Sequence, residues 1–242
     1  VEVPSVIPRE LTRPVLGPLA TDSRITRQLN NIRVKCAVSL ERSGSLVARE
    51  EGELLFRDYG VSGVCVFNLS RFACEGDVLS IDFLPRMSDA DRDAWLLARR
   101  KHLSARLGEN GQIAAEDVLR GAMLPQVAQV LCKCAGIDSA RPLSKKDVLA
   151  LSRVIGGLRL TVRGIGDVKQ CQVSRGGLSI AAFDSQTMGA VRASGLFAAG
   201  EALDVDAPCG GYNLHWAWSS GLLAGVSAAR SAVSADGEGE GE

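Results

Sequence analysis

The sequence predicts an α+β chain of more than one domain: a β-barrel, a small helical domain inserted into it, and a carboxyl-terminal strand-turn-helix segment. Three patterns support this prediction. Residues 32–40 and 158–163 alternate apolar and polar side chains, as a half-buried strand does. Residues 85–155 carry helical spacing and helix-capping signals. Residues 195–225 combine a short apolar run, a glycine turn and a run of small residues.

The amino-terminal segment carries four prolines, the last of them Pro18, so we expect an extended connector over residues 1–24. Barrel strands are predicted at residues 32–40, 53–56, 64–67, 78–83 and 158–163. Residues 164–166 place two glycines around an isoleucine. Because the third glycine of a nucleotide-binding loop is missing, a hairpin turn is the prediction there.

Two capping boxes predict helix starts within the helical domain, Ser88 with Asp91 and Ser144 with Asp147. A third helical stripe covers residues 124–131. A basic cluster lies on the first of these helices, at Arg99, Arg100, Lys101 and Arg106. It is interpreted as a solvated face, with a site for nucleic acid or for an NADPH phosphate as the alternative.

The carboxyl-terminal segment has the residue order of a nucleotide-binding corner. A short buried strand is predicted at residues 196–199, and it ends at Gly200-Glu201, where a backbone without Cβ can approach a ligand. Glu201 is expected to meet a sugar or ribityl hydroxyl. A helix is predicted at residues 214–230.

Gly210-Gly211 precedes that helix, so its free N–H groups can face an electron-rich ring oxygen. For a flavin this oxygen would be the C2 carbonyl beside N1, where negative charge accumulates on reduction. The alternative is a tight corner in which the glycines serve packing alone.

Residues 195–221 and 52–63 carry two long motifs, G-L-F-A-A-G-E-A-L-D-V-D-A-P-C-G-G-Y-N-L-H-W-A-W-S-S-G and G-E-L-L-F-R-D-Y-G-V-S-G. Together with residues 172–177 and 185–188, they resemble the HI0933-like family, also called the BaiN type, of NAD(P)/FAD-dependent oxidoreductases. The resemblance covers most of the chain. This sequence departs from the family pattern at Arg57-Asp58, Val64 and His215.

The resemblance implies that the barrel and helices are inserted as a cap into a Rossmann-like FAD-binding domain. It also implies that NAD(P)H reduces FAD and that the flavin passes hydride to a small organic substrate, unsaturated or conjugated to a carbonyl. The implied cofactor-binding residues are Gly200, Glu201, Leu203, Asp204, Gly210, Gly211, Tyr212, Asn213 and Leu214. Cys209, Tyr212 and His215 lie near the expected ring, as proton donors or as packing residues. The catalytic residues remain unassigned.

The predicted domain bounds are a connector at 1–24, the barrel at 25–84 and 156–174, the helical insert at 85–155, the FAD-binding segment at 175–232 and a disordered tail at 233–242. The G-x-G-x-x-G turn of a flavin domain is missing, and Val1 is not an initiator methionine. We therefore expect a fragment whose amino-terminal half of the FAD domain is supplied in cis or in trans. The alternative is a non-catalytic cap or binding module.

Composition restricts the remaining classes. The chain has 28 basic and 28 acidic residues, a balance that argues against a nucleic-acid partner. No signal peptide or membrane-spanning run is visible, and the seven cysteines have no repeated C-x-x-C spacing. We expect a cytoplasmic protein with reduced thiols, no metal site and no membrane partner.

Overall fold

The computed structural model describes residues 3–107, 113–137 and 143–237. Two compact units are present: Gly17–Asp167 forms one, and the segments up to Leu16 and from Val168 onward form the other. The α+β class is confirmed. The barrel unit begins before the predicted residue 25 and ends before the predicted residue 174.

In chain order, the elements are β1 (Arg9–Val15), β2 (Leu19–Thr21), α1 (Ser23–Thr26), β3 (Arg33–Arg42), β4 (Ser45–Arg57), β5 (Gly60–Ser62), α2 (Val64–Ser70), β6 (Val78–Asp82), α3 (Asp89–Leu107), α4 (Pro125–Cys134), α5 (Lys145–Gly156), β7 (Leu158–Ile165), β8 (Val173–Leu178) and α6 (Tyr212–Gly237). None of the described helices has the length and apolarity that a membrane crossing requires.

The barrel unit is a closed barrel of six strands in the order β2-β5-β4-β3-β6-β7. Its interior holds the alternating apolar residues that the sequence indicated, such as Val38, Leu40 and Leu160, each at most 1% exposed. Arg42 and Asp77 form an ion pair where β3 meets β6. The Arg42 guanidinium bonds both carboxylate oxygens, at 2.8 and 2.9 Å, and holds the pKa of Asp77 below its usual range.

The prediction of a strand at residues 64–67 is wrong, because this run lies in α2. Cys65, Val66, Leu69 and Ser70 are its buried residues, and this spacing places them on one face of a helix. A run of four apolar residues fits a buried strand and a buried helix equally well, so the sequence pattern did not separate them.

The three predicted helices of the insert are confirmed as α3, α4 and α5. The Ser88 hydroxyl accepts from the Asp91 amide at 3.1 Å, and Ser144 with Asp147 forms a complete capping box. The insert has no core of its own: its buried residues, including Leu96 and Leu151, belong to the same apolar cluster as the barrel interior.

The basic cluster on α3 is only partly a solvated face. Arg99 donates to the carbonyl oxygens of Val118 and Arg120, both at 2.6 Å, and Arg100 donates to that of Leu143 at 2.7 Å. These two guanidiniums therefore tie α3 to the loops beside it. Lys101 and Arg106 are exposed, as expected.

Residues 3–24 are not one extended connector. β1 pairs antiparallel with β8, from Arg9 opposite Leu178 to Val15 opposite Val173, and β2 belongs to the barrel. The predicted hairpin at residues 164–166 is also wrong. Gly164 lies within β7 opposite Ala20, at an irregularity in the β2–β7 register, and the chain then leaves the barrel.

Residues 196–199 form no strand, although one was predicted. Phe197 makes a single bridge to Gly189, and a short 3-10 turn follows at Gly200–Ala202. A strand needs a ladder of partners, and no such ladder reaches this segment within the described residues. α6 starts before the predicted residue 214 and extends to Gly237, into the predicted tail; residues 238–242 lie outside the described part.

Candidate functional site

The turn at Gly200 is fastened to α6 by its own backbone. The Gly200 amide donates to Ser220 Oγ at 2.9 Å, and Trp216 Nε1 donates to the Gly200 carbonyl at 3.1 Å. Ser220 is 2% exposed and donates its own proton to the Trp216 carbonyl at 2.6 Å. Both polar groups of Gly200 are thus satisfied, and the position of the next residue, Glu201, is set by the helix.

β8 lies against the same turn, backbone to backbone. Gly177 has φ +125°, and a Cβ there would lie 2.7 Å from the Ala202 carbonyl oxygen, so no other residue fits without a shift. The Asp204 carboxylate accepts from the Gly176 amide at 2.9 Å, and the Asp204 amide donates to the Leu178 carbonyl at 2.8 Å. Asp204 therefore holds β8 in place.

The loop before α6 is closed by Asn213. Its side-chain oxygen accepts from the Ala207 amide, and its side-chain nitrogen donates to the Ala207 carbonyl, both at 2.9 Å. The loop ends at Gly211, whose carbonyl accepts the first helical bond, from the His215 amide at 3.0 Å.

The first turn of α6 has free donors. A glycine at the N-cap has no side chain that could accept a hydrogen bond from the helix start. In the described residues, no protein group accepts from the backbone amides of Tyr212, Asn213 or Leu214. Three N–H groups and the positive end of a 26-residue helix therefore meet at this point.

A cavity of about 310 Å³ lies at this helix start. Its lining consists of Gln172, Val173, Glu201, Val205, Cys209, Gly210, Gly211, Asn213, Leu214, Trp216 and Ala217. The lining contains no lysine or arginine, so the helix start is its source of positive potential. Glu201 is its one carboxylate. That carboxylate is exposed, and one of its oxygens accepts from the Ser174 amide.

Five of the nine predicted cofactor-binding residues share this lining: Glu201, Gly210, Gly211, Asn213 and Leu214. The other four lie outside it. Gly200 and Asp204 hold the turn and β8 as described, Leu203 is 2% exposed in the core of this unit, and Tyr212 is 61% exposed.

Cys209 is the one residue among the three considered as proton donors that lines the cavity. Its Sγ lies 3.7 Å from the Gln172 side-chain oxygen. His215 and Tyr212 are exposed. Trp216 and Ser220 had not been singled out from the sequence. Trp216, Ser220 and Ala224 follow one another at spacings of four, which places them on one face of the helix. This spacing is the sequence signal that could have identified them.

No group of three or more potential metal ligands occurs among the residues that the structure describes. Cys132 is buried, and burial raises the pKa of its thiol to about 12, whereas Cys134 is exposed. The two sulfurs of Cys132-Lys133-Cys134 therefore have different surroundings.

A sequence model of the HI0933-like protein Rossmann domain matches residues 14–227. The chain belongs to the HI0933-like family. Its relatives include the 3-dehydro-bile acid delta(4,6)-reductase of Clostridium scindens, 28% identical over 225 residues, which are 89% of this chain and 53% of the relative.

Two further relatives are ribosomal RNA dihydrouridine synthases. The Escherichia coli enzyme is 29% identical over 228 residues, 89% of this chain and 49% of the relative. The Haemophilus influenzae enzyme is 28% identical over 184 residues, 74% of this chain and 42% of the relative. The chain thus spans about half the length of the curated relatives it matches.

Replacing Ser220 with alanine should destabilise this unit. The change leaves the buried Gly200 amide without an acceptor, and an orphaned buried donor costs about 1–3 kcal/mol. The loss should appear as a lower free energy of unfolding in urea denaturation followed by tryptophan fluorescence. Ser234→Ala is the matched control, since Ser234 bonds the Arg230 carbonyl on the exposed side of the same helix. Equal stability of the two variants would show that the hydrogen bond from the Gly200 amide to Ser220 does not stabilise this unit.

Proposed function

We propose that this chain is part of an FAD-dependent oxidoreductase, reduced by NAD(P)H, which reduces a carbon–carbon double bond conjugated to a carbonyl group. The observation that carries the proposal is the cavity at the start of α6. Its wall offers three backbone amides without a protein acceptor and no competing cationic side chain. Bound FAD would supply the hydride chemistry.

The residues present fit part of this cofactor. The free amides and the helix dipole suit an oxygen that carries negative charge. One Glu201 oxygen accepts from Ser174, which leaves the other to accept from a ribityl or sugar hydroxyl. A Cβ placed on Gly211 meets nothing within 4 Å, so a flat ring has room to approach the backbone there.

The size of the cavity supports the proposal that other residues complete the site. Its volume of about 310 Å³ lies at the lower end of the range of about 300–1,000 Å³ typical of ligand sites. We therefore propose that this chain holds one end of the cofactor and that the amino-terminal half of the FAD domain, in cis or in trans, holds the rest.

The exposed face of α6 supports this second proposal. Leu214, Trp218 and Leu222 follow one another at spacings of four and are 67%, 77% and 73% exposed. A ridge of large apolar side chains at helical spacing is typical of a helix that packs against another element. The amino-terminal half of the FAD domain is the partner that we propose for it.

The relatives support the class of substrate that we propose. Delta(4,6)-reduction of a 3-dehydro-bile acid and formation of dihydrouridine from uridine both saturate a carbon–carbon bond conjugated to a carbonyl. Each needs hydride at the carbon farther from the carbonyl and a proton at the nearer one. We propose the same class of bond for this chain.

Cys209 is our proposal for the donor of that proton. It lies in the cavity lining, whereas Tyr212 and His215 are exposed and lie outside it. A positioned general acid typically contributes about 10²–10⁴-fold to a rate.

Gly211→Val should abolish FAD binding. Gly211 has φ +88°, which a β-branched residue adopts only with strain, and the new side chain would occupy the space in front of the free amides. Titration of FAD into the protein with the complete flavin domain, followed by flavin fluorescence and absorption, measures the loss. Gly121→Val is the matched control, because Gly121 has φ +79° and equally open surroundings in the barrel unit. Unchanged affinity in the Gly211 variant would place the flavin elsewhere.

Cys209→Ser should lower turnover of a conjugated enone by about 10²-fold or more. The reduction of bound FAD by NAD(P)H, followed anaerobically by bleaching, should stay at the wild-type rate, because that half-reaction does not use the proton donor. The protein must contain the complete flavin domain for this measurement. Wild-type turnover would remove Cys209 from the mechanism, and failure of NAD(P)H to bleach the wild type would contradict the reductase itself.

A further inference from the structure

A second cleft lies in the barrel unit, where α1, α4, α5 and the start of β7 meet. Its volume is about 550 Å³. Three cationic side chains line it, Arg24, Lys133 and Arg159, and no aspartate or glutamate does. None of the residues in this lining belongs to the unit that holds the cavity at α6.

Two of the three cations are available to a ligand. Arg159 is paired with Glu41, at 2.8 Å. Arg24 and Lys133 are exposed, and neither has a carboxylate partner among the residues that the structure describes. Lys133 donates one proton to the Gln28 side-chain oxygen at 3.4 Å, which holds the ammonium at the cleft and leaves its other protons free.

Arg24 acts electrostatically within this cleft. Although Cys134 is exposed as a residue, partial burial of its thiol raises the pKa, and the Arg24 guanidinium partly opposes that rise. Cys134 also lines the cleft, so the guanidinium charge is felt inside it.

The barrel unit carries a net positive charge, although the net charge of the whole chain is zero. Gly17–Asp167 contains 22 of the 28 basic residues and 18 of the 28 acidic residues. The remaining residues accordingly carry an excess of acidic side chains. The balance of the whole chain, which argued against a nucleic-acid partner, therefore does not describe this unit. Segregated charge of this kind attracts a polyanion to one part of the molecule.

We propose that this cleft binds the phosphodiester backbone of an RNA strand through Arg24 and Lys133. The cations are long and exposed and line an open cleft, which suits contacts to the phosphates of a single strand that runs through a positively charged groove. The side chains contact phosphate, so binding depends weakly on base sequence. If the strand is the substrate, this inference rests on the proposed function, but the binding itself requires no turnover.

The test is fluorescence anisotropy with a labelled single-stranded RNA of mixed sequence and about 20 nucleotides. Arg24→Ala with Lys133→Ala should weaken binding by about tenfold or more at low salt. The slope of log affinity against log salt should fall by about 1.4, since each phosphate contact to a single strand contributes about 0.7.

The control removes the same charge from the other unit. Arg192 and Arg230 are exposed and lie outside Gly17–Asp167, so Arg192→Ala with Arg230→Ala should bind RNA like the wild type. FAD titration of both double variants should match the wild type, which separates failure of the RNA site from failure of the flavin site. No RNA binding by the wild type, an equal loss in the two double variants, or displacement by NADPH at the concentration at which RNA itself competes would overturn the proposal.

Discussion

The hydrogen bonds that fasten Gly200 to α6 determine the geometry of the candidate site. The Ser220 hydroxyl accepts a hydrogen bond from the Gly200 amide, and the Trp216 indole donates one to the Gly200 carbonyl. These two bonds fix the position of the turn along the helix. Glu201 then follows at a set position, and Asp204 holds β8 against the turn. The start of the same helix provides the free amides. One helix therefore sets both the carboxylate and the donors that a flavin would contact. Its Ala217 lies next to Gly200, where an added Cβ would meet the Ala217 Cβ at 3.5 Å.

The two units differ in charge as well as in architecture. The barrel unit and its helices share one apolar cluster and carry the basic excess, whereas the unit with α6 has a smaller core and a cavity without cations. A cofactor site that relies on backbone amides needs no lysine or arginine, so the basic side chains of the barrel unit are available for another task. The proposed phosphate-binding cleft and the proposed cofactor cavity are compatible, because different residues line them.

Much of this structure could be predicted from the sequence, and the exceptions share a physical cause. Capping boxes at Ser88 and Ser144 and the alternation along β3 and β7 are local signals, and they predicted their elements correctly. Residues 64–67 and 196–199 were predicted as strands because they are short apolar runs. Whether such a run becomes a strand depends on partners that are distant in sequence. The pairing of β1 with β8 was missed for the same reason.

The same limit applies to the candidate site. Glycines and a helix start are visible in the sequence, so Gly210, Gly211 and Asn213 could be singled out, and all three line the cavity. The hydrogen bonds of Ser220 and Trp216 to Gly200 are long-range. Their spacing with Ala224 indicates one shared helical face, but it does not identify the turn that this face meets. For Arg99 and Arg100 the local pattern gave the wrong environment. Their spacing is that of a solvated face, but their guanidiniums donate hydrogen bonds to carbonyl groups of other segments.

Hydrogen exchange of the backbone amides of Tyr212, Asn213 and Leu214, measured with and without FAD, tests the central claim most directly. These amides have no protein acceptor, so they should exchange rapidly in the free protein and slow down when FAD binds, while the amides of the barrel strands keep their rates. Slower exchange confined to these positions is the result that the account predicts. FAD binding that leaves their exchange unchanged would contradict it.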